Sequence, residues 1–510
     1  MSAAAIPVNL SAEPVRNAVT LDSVLPVAAA RFGQDRALFF EGEWSSFAVL
    51  DHDSNRFANG LGQLGIVPGT RIVIHVPNSR DWVIAYYGAS KVGAIVVPVD
   101  AMLTPDELVF VLSDSAASVL ITGLEEPDAI GRVMAAVSLS LVVLSFGAGS
   151  VGGAVRQADV VDRGRLNLAT VAVDPGQLST ISYTSGTTGR PKGAMLSHRT
   201  VLLSASLTAQ AHQRTCKDTF LSALPCTHVY GNAILHASFM VGGRFVLLRR
   251  FDAETALTAI ATHKVTVFEG VPAMYARILS HSRLHAHDLS SLSRCTVGGQ
   301  SIPVETIKAA ERVLGCPLIE LWGMTELGGP AITHQPGASS PPGSIGRPLP
   351  GMEVRLADQS FGGTDGSADI GELCLRGPPV MQGYLNRPDA TAAMIDGEGW
   401  LHTGDLATLD DQGNVFIAGR SKEMIITAGY NIYPSEVEAA IAAHPAVEMV
   451  AVGKESDPEK GEIAVAYVVT KSGKRGFARR DRAGSPRPAR AVQSPTQSGV
   501  RRRPSKRELR

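Results

Sequence analysis

Apolar and polar positions follow two alternating periods along residues 20–325. Short runs of β-branched and apolar residues, typical of buried strands, are followed by stretches with the 3.6-residue period of amphipathic helices. The predicted strands are 71–75, 94–98, 118–122, 141–145, 180–183, 219–224, 244–248, 265–269, 294–297 and 317–321. The predicted helices include 80–92, 232–241, 253–263, 273–281 and 303–314, the last with a proline at its first position. Strands and helices that alternate over this length predict an α/β fold with largely parallel sheets.

The pattern changes further along the chain. Between residues 343 and 416 helical periodicity becomes scarce, and short strands separated by Gly, Pro and Asp predict a small β-barrel-like subdomain. A new αβ pattern begins near residue 420. We therefore predict a large N-terminal domain over 1–419, made of two α/β subdomains and the β-barrel-like one. A small α+β C-terminal domain over 420–470 follows, and it is predicted to be incomplete.

The last forty residues differ from the rest in composition and charge. The whole chain of 510 residues carries 47 Lys and Arg against 48 Asp and Glu. Residues 471–510 carry 14 basic and 2 acidic residues, so the remainder is acidic, with 33 basic and 46 acidic residues. Pro, Ser, Arg and Gly dominate this tail and apolar periodicity is lost, which predicts disorder.

The five cysteines are widely spaced and form no CxxC pair, so the sequence indicates neither a zinc site nor a disulfide framework. This usage fits a reducing cytosol, and we expect a cytoplasmic protein. The N-terminus lacks the charged and apolar regions of a signal peptide. The most apolar run, 133–146, is too short to span a bilayer, although peripheral membrane contact stays open.

The most distinctive stretch is Ile181–His198, which reads ISYTSGTTGRPKGAMLSH. Glycines allow tight bends, consecutive N–H groups in such bends bind anions, and hydroxyls and Lys192 add donors and a positive charge. A strand leads into this loop, and Ser197 is a suitable N-cap for the helix that follows. Strand, loop and helix together predict a phosphate-binding element. It is not a Walker loop, because Lys192 is followed by Gly193, and it is not GxGxxG.

The order YTSGTTGRPKG resembles the signature of the adenylate-forming, or AMP-binding, superfamily, and within it the acyl-CoA synthetases and fatty acid–CoA ligases. The resemblance extends over about residues 20–470. It implies ATP, Mg²⁺ and CoA as cosubstrates and cofactor, and it places catalytic roles on Thr184 and Lys192. The residues that it implies around the phosphates are Thr184, Ser185, Gly186, Thr187, Thr188, Gly189 and Lys192.

Two further motifs match the superfamily's nucleotide-binding segments. In ELWGMTE, Trp322 offers a flat face for a purine, and Glu326 offers the hard oxygen that Mg²⁺ prefers. The resemblance makes Glu326 a catalytic metal ligand, and it lets Trp322 replace the tyrosine that is more frequent there. The ATP contacts implied in ELWGMTE and in CTVGGQSIP, which would line the adenine pocket, are Gly299, Gln300, Ser301, Trp322, Gly323, Met324 and Thr325.

The C-terminal motifs imply contacts to the ribose and to CoA. Asp405 in WLHTGD could cap a turn, whereas the resemblance has it accept both ribose hydroxyls. Arg420 would contact the ribose or a phosphate. Lys422 falls at the hinge between the superfamily's two domains, and Gly429 falls in the segment that lies along the pantetheine of CoA.

The acyl site is implied by two stretches. His228 in LPCTHVYG fits a packed core histidine as well as it fits the superfamily's acyl and thioester-forming site. Residues of FEGVPAMY would wall the acyl channel but are equally consistent with core, namely Phe268, Gly270, Val271 and Met274. This stretch contains no basic residue to pair with a second substrate carboxylate, which disfavours a dicarboxylate.

These features predict an ATP-dependent acid–CoA ligase that acts through an acyl-adenylate, with a medium- or long-chain fatty acid as substrate. The alternatives are an adenylating enzyme for an aryl acid or a carrier protein, and a nucleotide-binding homologue that is impaired in adenylation. The expected partners are small molecules, with no nucleic acid.

The impaired alternative arises from the end of the chain. The superfamily ends in a motif like PKTxxGK whose lysine takes part in adenylation, whereas an ungapped alignment of the final KRELR places Arg503 there. We therefore nominate no catalytic lysine from the C-terminal domain. A frameshift that returns to frame near Lys506 is the favoured explanation. A genuine but impaired end, or a basic tail that binds nucleic acid or anionic membrane, stays open.

Overall fold

The computed structural model describes two compact units. The described residues are 20–123, 127–137, 142–145, 155–163, 173–184, 190–337, 341–357, 370–427, 430–442, 444, 446–458, 460–470, 478–480 and 486–488. Unit one comprises residues 1–358, 371–403 and 407–417, and unit two comprises 359–370, 404–406 and 418–510. Among the described helices, none has the length and apolar character that crossing a membrane requires.

The helices occur throughout unit one and once in unit two. The α-helices in the described part of the chain are α1 (Val24–Phe32), α2 (Phe47–Gln63), α3 (Arg80–Lys91), α4 (Pro105–Ser115), α5 (Pro127–Ala136), α6 (Gln157–Arg163), α7 (His198–Ala211), α8 (Val229–Val241), α9 (Ala253–His263), α10 (Pro272–Leu279), α11 (Val304–Leu314), α12 (Pro388–Met394) and α13 (Pro434–Ala442). Short 3₁₀ turns occupy Leu21–Ser23, Leu284–Ala286 and Thr325–Leu327.

The strands are mostly short. In chain order they are β1 (Arg36–Phe40), β2 (Glu43–Ser46), β3 (Arg71–His75), β4 (Ile95–Pro98), β5 (Val119–Thr122), β6 (Val142–Ser145), β7 (Val155–Arg156), β8 (Leu178–Thr184), β9 (Lys192–Ser197), β10 (Thr219–Ser222), β11 (Arg244–Leu247), β12 (Val267–Gly270), β13 (Arg294–Val297), β14 (Leu318–Met324), β15 (Gly329–Thr333), β16 (Arg347–Pro348), β17 (Glu353–Ala357), β18 (Gly371–Arg376), β19 (Gly383–Tyr384), β20 (Leu401–Leu409), β21 (Val415–Arg420), β22 (Ile425–Thr427), β23 (Tyr430–Ile432), β24 (Val447–Asp457), β25 (Gly461–Thr470), β26 (Ala478–Arg480) and β27 (Pro486–Pro488).

Two large, mainly parallel sheets form the frame of unit one. The first has the order β16-β15-β14-β13-β12-β10-β11-β1-β2, and its five central pairs, from β14 to β1, are parallel. The second has the order β19-β9-β8-β4-β3-β5-β6-β7, and it is parallel from β8 to β7. The α/β class with largely parallel sheets, predicted from the alternating periods, is confirmed.

The interior of unit one is filled by helices that are buried on nearly every face. All thirteen residues of α8 are buried, and α7 contacts β15 of the first sheet as well as β8 and β9 of the second. A helix that contacts two sheets must be apolar around most of its circumference, which explains why α8 shows little amphipathic pattern. These helices join both sheets to one hydrophobic core.

Several local predictions are confirmed by the hydrogen bonds. Thr104 caps α4, because its hydroxyl accepts from the N–H of Glu107 while the Glu107 carboxylate accepts from the N–H of Thr104. Ser197 caps α7 by accepting from the N–H of Thr200 at 3.0 Å. The prediction for Pro303 was wrong by one position, because this residue is the extended N-cap of α11 and not its first helical residue.

The sequence pattern missed other elements. Strand β9 separates the glycine-rich loop from α7, so the predicted order strand, loop, helix is wrong and becomes strand, loop, strand, helix. Helices α6 and α12 have seven residues each, too short to establish a clear 3.6-residue period. Within the predicted β-rich region, β17, β18, β20 and β21 form a four-stranded sheet in that order.

Unit two contains a four-stranded sheet with the order β23-β22-β25-β24, and α13 packs on β24. A separate hydrophobic cluster of four buried side chains lies in this unit, made of Ile370, Leu406, Met424 and Tyr433. Within the tail that we predicted to be disordered, β26 and β27 pair as an antiparallel ladder, so the prediction is wrong for these six residues. The rest of 471–510, including Arg503, lies outside the described residues.

Candidate active site

The glycine-rich loop connects two paired strands of the second sheet. Thr184 at the end of β8 is the register partner of Lys192 at the start of β9, and the Thr184 hydroxyl lies 3.5 Å from the Lys192 carbonyl oxygen. Gly193 allows the two strands to pack closely, because a Cβ there would lie 2.7 Å from the Ile181 side chain. The pairing therefore fixes both ends of the loop. Its centre lies outside the described residues, namely Ser185, Gly186, Thr187, Thr188 and Gly189.

The second nucleotide motif runs from β14 into a 3₁₀ turn. Trp322 is half-buried, and Gly323 must be glycine, because a Cβ there would lie 2.2 Å from the carbonyl oxygen of Gly329. Met324 and Thr325 are half-buried and lead into the turn. Glu326 occupies that turn with only 6% of its surface exposed. A nearly buried carboxylate at the end of a strand is a suitable hard oxygen ligand for Mg²⁺.

Tyr384 joins the two motifs and was not singled out from the sequence. Its hydroxyl donates to Oε1 of Glu326 at 2.5 Å, and the ammonium of Lys192 lies 5.1 Å from the centre of its ring. Burial raises the pKa of the Tyr384 phenol, and the negative charge of Glu326 raises it further, so the phenol keeps its proton. The signal that could have found it is the dipeptide GY in GELCLRGPPVMQGYLNRPDAT, where glycine and an aromatic residue follow a turn.

The predicted adenine-pocket residues follow β13 and are exposed. Gly299 has a φ of 84°, a left-handed backbone that glycine adopts without strain. Gln300 and Ser301 come next and are also exposed. Because β13 and β14 are parallel neighbours, their carboxyl ends meet at one edge of the sheet. That edge is where ligands bind in open α/β sheets, which agrees with a shared role for GGQS and WGMT.

The predicted ribose residues lie in unit two. Asp405 is buried and Arg420 is largely exposed, and Nε of Arg420 lies 3.1 Å from Oδ1 of Asp405. The N–H of Ser421 also donates to the carbonyl oxygen of Gly404 at 2.9 Å, so β20 and β21 hold the pair in register. Lys422 follows directly and is exposed. Gly429 lies outside the described residues.

His228 is an exposed residue and not a packed core histidine. It is the N-cap of α8, where its Nδ1 accepts from the N–H of Tyr230 at 3.2 Å. This geometry leaves the imidazole at the surface end of a wholly buried helix. The structure therefore excludes the core alternative for His228 and is compatible with the acyl site.

The FEGVPAMY stretch has an apolar surface backed by a buried ion pair. Among the predicted wall residues Phe268, Gly270 and Met274 are buried and Val271 is half-buried. Between them Glu269 is fully buried, and Nη2 of Arg214 lies 2.5 Å from its Oε1, with both side chains 0% exposed. Sequence reasoning missed this pair, because Arg214 lies outside the FEGVPAMY stretch and carries no motif of its own.

Two hydroxyls complete the buried network around Glu269. Thr296 donates to Oε2 of Glu269, and its own hydroxyl lies 2.8 Å from the hydroxyl of Tyr230. Burial raises the pKa of the Tyr230 phenol, and the charge of Glu269 adds to the effect. Tyr230 is thus directed towards Thr296 and Glu269 through its polar end, so it offers its ring edge and not its hydroxyl to neighbouring apolar groups.

Glu320, the first residue of ELWGMTE, is a further unusual carboxyl group. It is half-buried on β14, and burial raises its pKa to about 7. A carboxyl group in this range changes charge near neutral pH.

One cluster of metal-type donors lies apart from these motifs. Side-chain atoms of Glu372, Cys374 and His402 lie within 4.8 Å of one another. Nδ1 of His402 is already hydrogen-bonded to Glu372 at 2.9 Å, and the guanidinium of Arg355 interacts with the Cys374 thiol. Because Arg355 already places a positive charge there, hydrogen bonds account for the cluster without a metal ion.

The comparisons with known proteins agree with these observations. The AMP-binding enzyme family model matches residues 25–385, and the AMP-binding enzyme C-terminal domain model matches residues 436–484. The long-chain-fatty-acid–CoA ligase of Bacillus subtilis (strain 168) is 34% identical over 484 residues, which cover 89% of this chain and 86% of that protein.

Two solved structures show the same architecture. An anthranilate–CoA ligase in complex with anthranoyl-AMP superposes with a TM-score of 0.83 and 27% identity, covering 90% of this chain and 88% of that one. The o-succinylbenzoate–CoA synthetase of Bacillus subtilis, in complex with ATP and a magnesium ion, gives a TM-score of 0.76 and 28% identity, covering 89% and 90%.

The fold and the site define an adenylate-forming enzyme. The chain belongs to the AMP-binding enzyme family, as an AMP-forming acid–CoA ligase of the acyl-CoA and aryl-CoA ligase group. ATP, Mg²⁺ and CoA are the cosubstrates and cofactor of these ligases. The carboxylate of Glu326 and the hydroxyl of Thr184 are the kind of oxygen donors that suit Mg²⁺, so the described residues fit the ion.

Proposed function

We propose that this chain ligates a medium- or long-chain fatty acid to CoA. The observation that carries the proposal is the buried pair of Arg214 and Glu269 behind an apolar FEGVPAMY surface. An arginine near an acyl site would attract a second carboxylate, but here its charge is neutralised by a fully buried partner. The similarity to a long-chain-fatty-acid–CoA ligase over 89% of the chain supports the same substrate class.

The reaction has two steps with separate demands. In the first, a carboxylate oxygen attacks the α-phosphorus of ATP, and pyrophosphate leaves. In the second, the thiol of CoA attacks the acyl carbon, loses its proton, and AMP leaves. The first step concentrates negative charge on phosphate oxygens, so fixed positive groups and hydrogen-bond donors stabilise it. The second needs a mixed anhydride protected from water.

We assign the phosphate end of the site to unit one. Lys192 and the loop from Thr184 to Gly189 neutralise and orient the phosphates, and Glu326 would hold Mg²⁺, which neutralises phosphate charge when bound. Trp322 stacks on the adenine, whose edges are contacted by Gly299, Gln300 and Ser301. Gly323, Met324 and Thr325 complete this wall.

We assign the ribose and CoA contacts to unit two, and the thioester-forming position to unit one. Asp405 accepts the ribose hydroxyls and Arg420 contacts the ribose or a phosphate. Lys422 acts as the hinge, Gly429 lies along pantetheine, and His228 stands at the acyl and thioester-forming site. The boundaries of the domains, 1–419, 420–470 and 471–510, also stay proposals.

An aryl acid is the second candidate substrate. The observation that favours it is the high structural similarity to an anthranilate–CoA ligase, together with Tyr230, whose ring edge suits an aromatic neighbour. An adenylating enzyme for a carrier protein, and a homologue impaired by a C-terminal end without the lysine motif, complete the alternatives.

A panel of acids distinguishes these possibilities. Purified protein with ATP and Mg²⁺ should release pyrophosphate with saturated C8–C16 fatty acids, and addition of CoA should yield the thioester by mass spectrometry. Benzoates and cinnamates test the aryl candidate, and dicarboxylates of equal length should be poor substrates. Absence of pyrophosphate with every acid, despite ATP binding, would reject the ligase activity of this chain.

The Lys192→Ala variant provides the matched catalytic control. Loss of one fixed positive charge at the phosphates should lower adenylation by about 10²–10³-fold. Unchanged pyrophosphate release would remove Lys192 from the phosphate site. Sequencing of the gene around codon 470 tests the frameshift, since another reading frame should then encode a lysine-containing end.

A further inference from the structure

The segment Met381–Leu385 is bonded both to the phosphate-loop strand and to the metal-ligand turn. The N–H of Met381 donates to the carbonyl oxygen of Glu326 at 2.8 Å. Three and four residues later, Tyr384 pairs with Ala194 of β9, and the N–H of Leu385 donates to the carbonyl oxygen of Gly193 at 2.8 Å. One short strand therefore holds two distant parts of the chain in a fixed register.

The side chain of Tyr384 makes the same connection. Its hydroxyl donates to the Glu326 carboxylate, and the face of its ring lies near the Lys192 ammonium, at 5.1 Å from ring centre to Nζ. A hydrogen bond to an ionised carboxylate is stronger than one between neutral groups, and it restricts which oxygen faces a ligand. An ammonium over an aromatic face is attracted by the ring quadrupole.

We propose that Tyr384 is a positioning residue that orients the Glu326 carboxylate for Mg²⁺ and holds Lys192 at the phosphates, so that metal and phosphate contacts are set together. This rests on the proposed function insofar as Glu326 is taken as the Mg²⁺ ligand. It does not depend on which acid is the substrate.

The two halves of this role separate in two variants. Tyr384→Phe removes the hydroxyl and keeps the ring, so the Mg²⁺ concentration for half-maximal ATP binding should rise about tenfold. At saturating Mg²⁺ the KM for ATP should return close to the wild-type value. Tyr384→Leu also removes the ring, so the KM for ATP should stay raised at saturating Mg²⁺, with a lower kcat.

The primary measurement is calorimetric titration of Mg²⁺ into protein with ATP and without acid, which reads binding independently of turnover. Pyrophosphate release against free Mg²⁺ then gives the KM and kcat of each variant. Circular dichroism establishes that each variant is folded before it is compared.

Two matched controls distinguish positioning from general stability. Tyr183→Phe removes another tyrosine hydroxyl that donates to a carboxylate, Asp114, at 2.8 Å, and should leave the Mg²⁺ dependence unchanged. Thr391→Val removes the hydroxyl that accepts from the N–H of Tyr384 at 2.8 Å, so it weakens the segment while keeping the Tyr384 hydroxyl. It should lower the melting temperature more than it changes the Mg²⁺ dependence.

Unchanged Mg²⁺ dependence in Tyr384→Phe, or an equal shift in Thr391→Val, would overturn the positioning role while the ligase proposal stands. Mg²⁺-dependent ATP binding that shifts in Tyr384→Phe, in a protein that forms no thioester with any acid, would support the positioning role and reject the proposed function.

Discussion

The chain contains two arginine–carboxylate pairs in opposite surroundings. Arg214 and Glu269 of unit one are both 0% exposed, whereas in unit two the side chain of Asp405 is 9% exposed and that of Arg420 is 60% exposed. The chemistry of the two pairs is the same, but their environments give them different roles. A buried pair neutralises charge inside the fold, and removing one partner is costly. An exposed arginine contributes little to stability and remains accessible to a ligand.

The comparison also separates two kinds of candidate site. Around Glu269 every charge is committed to a neighbour inside the fold, which suits a wall that faces an apolar chain. Around Arg420 the guanidinium stays in solvent, which suits a group that must contact a substrate. Burial of the arginine, and not the presence of an ion pair, distinguishes the structural pair from the ligand-binding one.

The largest expected effect follows from breaking the buried pair. Glu269→Gln leaves the Arg214 guanidinium buried without a counter-charge, so the free energy of unfolding should fall by about 3–5 kcal/mol. Urea unfolding followed by tryptophan fluorescence measures this, because all four tryptophans lie in unit one. The double variant with Arg214→Met should recover part of the loss. Equal stability of Glu269→Gln and wild type would contradict the role given to burial.

A smaller, pH-dependent effect is expected at Glu320, a carboxyl group whose burial raises its pKa to about 7. Because the folded-state pKa lies above the ordinary value, the folded protein binds the proton more tightly, and stability falls as pH rises from about 4.5 through 7. Glu320→Gln stays neutral, so it should be more stable than wild type by about 1–3 kcal/mol at pH 8 and nearly equal at pH 5. Parallel stability curves for the two proteins over this range would contradict the prediction.

The smallest effect on stability is expected at the exposed pair. Arg420→Ala should change the free energy of unfolding by at most about 1 kcal/mol, and added salt should reduce the difference, because solvent and ions screen the interaction. The same variant should raise the KM for ATP if Arg420 contacts the ribose or a phosphate. Far-UV circular dichroism during urea unfolding and steady-state kinetics give the two quantities. A loss comparable with that of Glu269→Gln would show that exposure does not distinguish the pairs.

Local features of the fold were predictable because their causes lie within a few residues. The capping box of Thr104 and Glu107 and the N-cap Ser197 are readable from side chains three residues from their bonding partners. The run of parallel strands follows from alternating periods of similar length. Strand β9 escaped prediction because its six residues are stabilised by pairing with β8 and β19, and the β19 residues lie far away in sequence.

The candidate site divides in the same way. Lys192, Glu326 and Asp405 stand in motifs with enough local order to be nominated from the sequence. Tyr384 does not, because its importance arises from a hydrogen bond to a residue 58 positions away and from contact with Lys192. The neutralisation of Arg214 depends likewise on a partner that only the fold brings near.

The sequence by itself determined the family, the α/β class and the reaction type, because long motifs and local periodicity record the chemistry and the nearest-neighbour structure directly. The tertiary structure alone decided which charges are buried, that Tyr384 joins the phosphate loop to the metal-ligand turn, and that Arg214 is neutralised by Glu269. These properties depend on the register and packing of strands far apart in the chain, and the cost of burying a charge is set by surroundings that no short stretch of sequence contains.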